Sequence, residues 1–248
     1  MAVMEFLTQN YLNTSTVATA TSNPSVTSFL YDRNTGLRYL TSGVTTSTSA
    51  TIGVVFGTSR VISKIFIQNH NLRDFELRYN SVTTITAVTL NSGSSTYISF
   101  ASVTASSVDL ISTRATTTDT ERTVGEFYVG DRHLQFDRNP TAKNYDPARP
   151  MKRVIHKMPD GGVTAFNIRQ KFNAKIKLDF ASDSLASLIQ PIYDTAAAFY
   201  FLPYPTTTGW AGVAHECLWT NEWDFTYAEN SKSQGQSGSI VLEETSNA

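Results

Sequence analysis

The stretch Val61–Tyr79, which reads VISKIFIQNHNLRDFELRY, decides the fold of the first half of this 248-residue chain. Its opening part is apolar on both faces, which is typical of a central strand that is covered on both sides. One face carries Val61, Ile65 and Ile67, and the opposite face carries Ile62 and Phe66.

The closing part of the stretch, Asp74–Tyr79, alternates charged with apolar or aromatic side chains. This alternation predicts a strand with one buried face and one wet face. Between the two strands, Gln68–Arg73 contains two asparagines, whose side chains hydrogen-bond nearby backbone groups, so we expect a loop there. A slip of one residue would move three charged side chains into the core, which specifies the register well.

Charge, hydropathy and cysteine content exclude several classes of protein. The formal net charge is −1, whereas phosphate binding needs a clustered excess of Lys and Arg, so we expect no nucleic-acid partner. No apolar run approaches the roughly 20 residues that span a bilayer, so we expect no membrane insertion. Cys217 is the single cysteine, which excludes an intrachain disulfide and a zinc site made of cysteines from this chain. We see no secretory signal and expect folding in a cytosol.

The spacing of the remaining elements predicts the fold class. Many short strands with turn signals about every 8–12 residues indicate an all-β protein with one short helix, built from two β-sandwich or jelly-roll-like domains. The first domain, with an N-terminal arm, covers residues 1–130, and the second, an assembly domain, covers residues 163–248. Three prolines between residues 137 and 150 predict an extended connector over residues 131–162.

The second domain has the clearest alternation of the chain. Apolar residues of the strand Lys171–Phe180 alternate with charged or polar ones, so we expect Phe172, Ile176 and Phe180 to point inward. The lysines of the other face are expected to meet solvent or an acidic neighbour. Apolar residues then follow helical spacing, which predicts a short helix over residues 183–193.

Four segments of the first half resemble the discoidin, or galactose-binding-like, jelly roll. They are Leu30–Asp32, Arg38–Tyr39, Thr51–Phe56 and the opening stretch Val61–Tyr79. The sequence departs from that family at two places, since Tyr39 replaces an expected tryptophan and Val55 stands where an acidic residue precedes the aromatic one. The resemblance implies a jelly roll over roughly residues 20–130.

The second half resembles the distal tail proteins and related tail-tip and baseplate proteins of tailed bacteriophages. The segments that carry this resemblance are Phe199–Pro203, Trp219, Trp223–Phe225 and Gly235–Glu244. It implies a β-rich domain that forms a ring or docks on one.

No catalytic constellation is visible in the sequence. A phosphate-binding glycine loop and a His-Glu-x-x-His motif are both missing, and the four histidines lie in different segments. His215 and Cys217 would share one face of a strand, yet no third group orients them. We therefore predict that the protein is not an enzyme, with no catalytic residues, no metal site and no cofactor. A glycan hydrolase with two carboxylates distant in sequence remains a third interpretation.

Taken together, these patterns predict a virion structural protein of a phage tail tip or baseplate, made in the host cytoplasm. It would act by binding copies of itself, in a homo-oligomer or ring, and other tail proteins. Trp210 and Tyr204 are the candidates for the oligomer interface, since aromatic residues are enriched in interfaces. The aromatic residues late in the chain have two other interpretations, as core residues or as a platform for sugars.

The alternative interpretation is a carbohydrate-binding module that attaches the particle to host surface glycans. Discoidin-like folds bind ligands through loops at one end of the sandwich, and the resemblance implies polar and charged candidates in two loops. They are Asp32, Arg33, Arg38, Asn69, His70 and Asn71.

Overall fold

The protein is mostly β, as its Thr-rich sequence predicts, because β-branched residues fit a pleated surface. The computed structural model describes residues 4–8, 10–13, 17–32, 37–41, 49–116, 121–131, 134–136, 139–141, 143–158, 163–203, 214–227 and 235–245. The strands and helices named below belong to these ranges. The prediction of a mainly β fold with several sheets is confirmed.

The strands are numbered in chain order. They are β1 (Glu5–Leu7), β2 (Val17–Ala20), β3 (Tyr39–Leu40), β4 (Ala50–Gln68), β5 (Leu72–Tyr79), β6 (Thr83–Val88), β7 (Ser95–Ala115), β8 (Thr123–Val124), β9 (Glu126–Gly130), β10 (Leu134–Gln135), β11 (Tyr145–Ala148), β12 (Met151–Lys157), β13 (Val163–Gln170), β14 (Asn173–Ala181), β15 (Phe199–Leu202), β16 (His215–Trp219), β17 (Thr226–Tyr227) and β18 (Gln236–Glu244). A 3-10 helix covers Pro24–Leu30, and the α-helix α1 covers Asp183–Thr195.

The first-half sheet has the strand order β2-β4-β7-β5-β6, with β9 also paired to β4, and every pair is antiparallel. Both strands predicted from the opening stretch exist as β4 and β5. They do not pair with each other, because the long strand β7 lies between them and pairs with both. A short sheet of β3 and β8 accompanies this half.

The faces of β4 follow the expected alternation only in its last residues. Ile65 and Phe66 are both fully buried and belong to different apolar clusters, which confirms the prediction of a strand covered on both sides. Ile62, however, packs with Ile65 in the same cluster. The pairing of β4 with β7 shifts register between Ile62 and Lys64, which reverses the facing of earlier residues. Val61 is consequently exposed rather than buried.

The second-half sheet has the strand order β10-β1-β15-β16-β18-β14-β11, with β17 paired to β18. The N-terminal strand β1, which the sequence analysis assigned to the first domain, is inserted here between β10 and β15. The connector predicted over residues 131–162 also carries more regular structure than expected. Its strand β11 contains Pro147 but lies at the edge of the sheet, where the missing N–H costs little. The division into two domains stays a prediction.

The strand β14 and helix α1 follow the sequence closely, with one exception. The helix begins at the predicted residue, with the Ser182 side chain accepting a hydrogen bond from the Leu185 N–H, and it continues to Thr195. Phe172 and Ile176 point inward as predicted. Phe180 does not, because the pairing with β18 shifts register between Leu178 and Ala181 and turns this ring outward.

A small apolar cluster joins the two sheets. From the first-half sheet it takes Phe66 and Tyr128, whose rings are stacked with centroids 4.4 Å apart. From the second-half sheet it takes Leu7, Tyr200 and Leu202, and the Tyr200 ring meets Phe66 edge-on at 5.0 Å. The neighbouring residues of the same strands point the other way, into the cores of their own halves.

Buried polar contacts surround this cluster. Lys64 Nζ on β4 lies 3.1 Å from Glu5 Oε1 on β1, and both side chains are almost inaccessible to solvent. The Tyr97 hydroxyl donates to the other Glu5 oxygen at 2.5 Å, and Lys64 also donates to Ser99 Oγ at 2.6 Å. The carboxylate and the ammonium are therefore both neutralised and hydrogen-bonded, as buried charges must be.

Removing the cation alone should strongly destabilise the protein. Lys64→Met leaves the Glu5 carboxylate buried without its counter-charge, which costs about 3–5 kcal/mol in unfolding free energy. The double variant Glu5→Gln with Lys64→Met removes both charges and should recover most of that loss. Urea unfolding of both variants measures the difference. A double variant no more stable than the single one would show that the pair is not coupled.

Candidate functional site

An open groove lies where β4 and β6 end and β5 and β7 begin. Its volume is about 440 Å³. The loop between β4 and β5, the loop between β6 and β7, and the residue after β7 form its walls. The lining residues are His70, Asn71, Arg73, Leu90, Asn91, Ser92, Gly93, Ser94 and Thr116.

His70 is a buried part of the groove wall. The backbone N–H of Leu72 donates to Nδ1 of His70 at 3.1 Å, so Nδ1 carries a lone pair and the proton is on Nε2. Nε2 in turn donates to Thr96 Oγ1 at 2.9 Å. Burial lowers the pKa of His70 from 6.5 to about 4, so the ring is neutral at physiological pH. Both ring nitrogens of His70 are therefore engaged in hydrogen bonds within the protein.

Two asparagines fix the loops on either side of the groove. Asn71 Oδ1 accepts from the Thr123 N–H at 2.7 Å, and its Nδ2 donates to the Glu121 carbonyl at 2.7 Å. Asn91 Nδ2 donates to the carbonyl oxygens of Leu72 and Gly93 at 2.8 and 2.9 Å. Because these side chains replace backbone partners, the groove is held in shape without regular structure on its rim.

Other residues of the groove supply the groups that are available to bind a ligand. Within the described ranges, the half-buried guanidinium of Arg73 has no hydrogen-bond or ion-pair partner. The hydroxyl groups of Ser92, Ser94 and Thr116 lie on the same surface and are exposed. Leu90 is 69% exposed and has a positive φ of 56°, which is unusual for a residue other than glycine or asparagine. The groove therefore offers one cation, several hydroxyls and one apolar side chain.

The predicted ligand residues fall into three groups. His70 and Asn71 line the groove, whereas Asn69 adopts φ 52° beside Gly125, where a Cβ would lie 2.8 Å from the Asn69 Cβ. Asp32 and Arg38 are exposed and do not line the groove, and Arg33 lies outside the described residues. Their role in ligand binding stays a prediction.

Sequence reasoning missed Arg73 and Leu90. The sequence predicts Arg73 at the end of a loop, whereas the structure has it on β5, and nothing in the sequence shows that its guanidinium lacks a carboxylate partner. Leu90 lies in the loop between β6 and β7. The positive φ that turns it outward has no sequence signal, because glycine and asparagine are the usual residues in that conformation.

The late aromatic residues form a second feature, on the other sheet. Trp219 and Trp223 are half-buried and stacked with centroids 5.9 Å apart, and Tyr193 meets both rings. They pack against the second-half core, in agreement with the interpretation as core residues. The interface candidates Trp210 and Tyr204 lie outside the described residues.

His215 and Cys217 are both buried, on the same face of β16. His215 stacks on the Phe172 ring at 3.8 Å, and its Nδ1 lies 3.0 Å from Glu244 Oε1. Burial raises the pKa of the Cys217 thiol well above its usual value, which keeps it protonated. This arrangement supports packing rather than nucleophilic chemistry.

Among the residues that the structure describes, no group of three or more His, Cys, Asp or Glu side chains is placed to hold a metal ion. No helix in that part of the chain is long and apolar enough to cross a membrane.

The comparisons with known proteins give structural neighbours only. No family model matches the sequence, and no curated protein matches it. Among solved structures, chitosan-binding module 1 from a chitosanase/glucanase of Paenibacillus sp. IK-5 is 20% identical, with a TM-score of 0.42, covering 49% of this chain and 98% of the module. The module CpGH89CBM32-5 of Clostridium perfringens, in complex with GalNAc-β-1,3-galactose, is 21% identical, with a TM-score of 0.40, covering 47% of this chain and 95% of that one.

A third neighbour is the family 32 module of NanJ from C. perfringens, in complex with galactose. It is 18% identical, with a TM-score of 0.41, covering 51% of this chain and 98% of that module. These neighbours are carbohydrate-binding modules, and the predicted phage tail protein stays a prediction.

The buried imidazole of His70 should make stability depend on pH. Its pKa falls from 6.5 to about 4 on folding, so the folded state disfavours the proton. The full stabilisation is present above pH 6.5, declines as pH falls from 6.5 to about 4, and changes no further below that. We expect a loss of about 3 kcal/mol at most.

Urea unfolding at pH 7.5 and pH 4.5 measures this loss. His70→Gln should be less stable at pH 7.5 and should lose less between the two pH values than the wild type does. His156→Gln, at an exposed position on β12, is the control and should lose as much as the wild type. An equal loss in His70→Gln and the wild type would contradict the assignment.

Proposed function

We propose that the protein binds glycans through the groove at the end of the first-half sheet, with Arg73 as the contact for an anionic substituent. The observation that carries the proposal is that Arg73 is half-buried, has no side-chain partner within the described part of the chain, and lines a recess together with several hydroxyl-bearing residues. A guanidinium offers five donors in a planar fork that matches a carboxylate or a sulfate.

The shape of the groove supports a ligand of this kind. Its volume of about 440 Å³ suits one or two sugar residues rather than a folded partner. The hydrogen bonds of His70, Asn71 and Asn91 hold the walls in place before a ligand arrives, which lowers the entropy cost of binding. The hydroxyls of Ser92 and Thr116 donate and accept, as sugar hydroxyls require.

A glycan array probed with the full chain tests the proposal. We expect binding to glycans that carry a carboxylate or sulfate and weaker binding to their neutral counterparts. Arg73→Ala should lower the affinity at least tenfold, since a lost charge-assisted contact costs about 1.4 kcal/mol or more. Arg60→Ala, at an exposed arginine elsewhere on the sheet, is the matched control. Unchanged binding by Arg73→Ala, or an array without hits, would reject this function.

Subunit assembly is a second candidate function, and one observation favours it. Within the described part of the chain, the strands β12 and β13 pair only with each other, as a two-stranded sheet apart from the two larger ones. Val154 and Ile155 are neighbours on β12 and so point to opposite faces, yet both are exposed, Ile155 by 59%. An isolated hairpin is marginally stable in water, so contact with another subunit would stabilise it.

Light scattering of the purified chain at increasing concentration tests assembly. We expect a mass above that of one chain, and Ile155→Glu should shift it toward the monomer because a charge would be buried in the contact. Val82→Glu, at a residue 80% exposed in a turn of the first half, is the control and should leave the mass unchanged. A monomer at every concentration would leave self-association without support. Whether the assembly is a virion tail tip remains a proposal.

A further inference from the structure

The strand β14 presents an aromatic ring to solvent where the sequence predicts a buried one. Phe180 is 57% exposed, has a positive φ of 62° and lies in the register shift of β14 against β18. A bulky residue is rarely found with positive φ, and such strain is retained mainly at functional positions. Bulges of this kind redirect a side chain from the core toward a site on the surface.

A cavity of about 280 Å³ lies beside this ring. Its apolar lining includes Phe136, Leu178 and Leu185, which are buried residues of the second-half core. An apolar cavity of about 150 Å³ is large enough for a benzene ring. The cavity beside Phe180 therefore has room for a six-membered ring that carries substituents.

Three polar side chains line the same cavity and contact each other. Asn144 Nδ2 donates to Asp179 Oδ2 at 2.6 Å, and Lys177 Nζ lies 3.5 Å from Asp179 Oδ1. Both side chains of the ion pair are more than a third exposed, so their remaining donors and acceptors stay accessible. The carboxylate is thus held in orientation, with lone pairs left for a ligand.

We propose that this cavity is a second sugar site, which takes a neutral pyranose. The C–H face of the ring would stack on Phe180, and two adjacent hydroxyls would bond Asp179 and Lys177. A pyranose combines an apolar face with donor and acceptor groups on its edge, and the cavity offers the complement of each. Because the Lys177 and Asp179 charges cancel, the site does not select an anionic sugar, which separates it from the Arg73 groove.

Packing of the backbone alone explains the bulge at Phe180 but does not explain why a phenyl ring is exposed there. At Gly235, with φ 81°, a Cβ would lie 2.5 Å from the Ala181 carbonyl oxygen, so close packing of β18 helps to shape the turn. That packing requires the backbone conformation at residue 180 but does not require a phenyl ring there. Glycine or asparagine would adopt the same conformation with less strain.

Saturation-transfer NMR with the full chain and a panel of methyl pyranosides tests the site, with dissociation constants from titration. We expect at least one pyranoside to bind the wild type, and Phe180→Ala to weaken it about tenfold or more. Phe180→Trp should retain binding, because the ring is kept. Asp179→Asn should weaken binding, since a charge-assisted acceptor is lost. Leu218→Ala, at another exposed apolar residue of this half, should bind as the wild type does.

Three results would overturn the proposal. The first is a wild-type chain that binds no pyranoside, and the second is Phe180→Ala with wild-type affinity. The third is a fall of the unfolding temperature in Phe180→Ala to the extent typical of a buried phenylalanine, which would make the ring a packing residue. Thermal melts of each variant accompany the titrations, so loss of binding and loss of folding are distinguished.

Discussion

The ion pair between Lys64 and Glu5 is the constraint on which the arrangement of the two sheets depends. Each charge is buried, and each would be costly without the other, because removal from water costs several kcal/mol per ion. A purely apolar contact between sheets tolerates small sliding movements, whereas this pair keeps its geometry only in one relative placement. Tyr97 and Ser99 restrict the relative position of the two sheets further, because Tyr97 donates to the Glu5 carboxylate and Ser99 accepts from the Lys64 ammonium.

Alternation along four strands makes this arrangement possible. In β1, Phe6 enters the second-half core while Glu5 and Leu7 face the other sheet, and β15 divides its residues in the same way. On the first-half side, β4 and β9 do likewise. Gln68 extends the contact to the end of β4, where its side chain donates to the Ala214 carbonyl at 2.7 Å. The groove begins two residues later, so its wall is supported from the second half.

The sequence predicts those parts of the fold that depend on side-chain periodicity. Ile65 and Phe66 are assigned to opposite faces, α1 is placed correctly from its first residue, and the loop of His70 is recognised as a loop. The predictions that are wrong depend on register shifts of the backbone, which no particular residue type in the sequence indicates. The register shifts near Ile62 and Phe180 reverse the facing of apolar residues, and neither β4 between Ile62 and Lys64 nor β14 between Leu178 and Ala181 contains a glycine or proline. The sequence does not predict the insertion of β1 for another reason. Three residues are too few to show a periodic pattern of apolar side chains, and their partner strands lie far along the chain.

The long-range pairing of β1 also has a consequence for the order in which the protein folds. A ribosome produces β1 before either of its neighbours, and β15 emerges only after every strand of the first-half sheet has been made. The first-half sheet can close early, since all its strands lie between residues 17 and 130. The strand β1, which carries the apolar residues Phe6 and Leu7, then stays unpaired until its partners have been made, and such delayed, non-local pairing is slow and exposes aggregation-prone edges. Folding during synthesis would therefore close the second-half sheet around a strand that was made long before its partner β15.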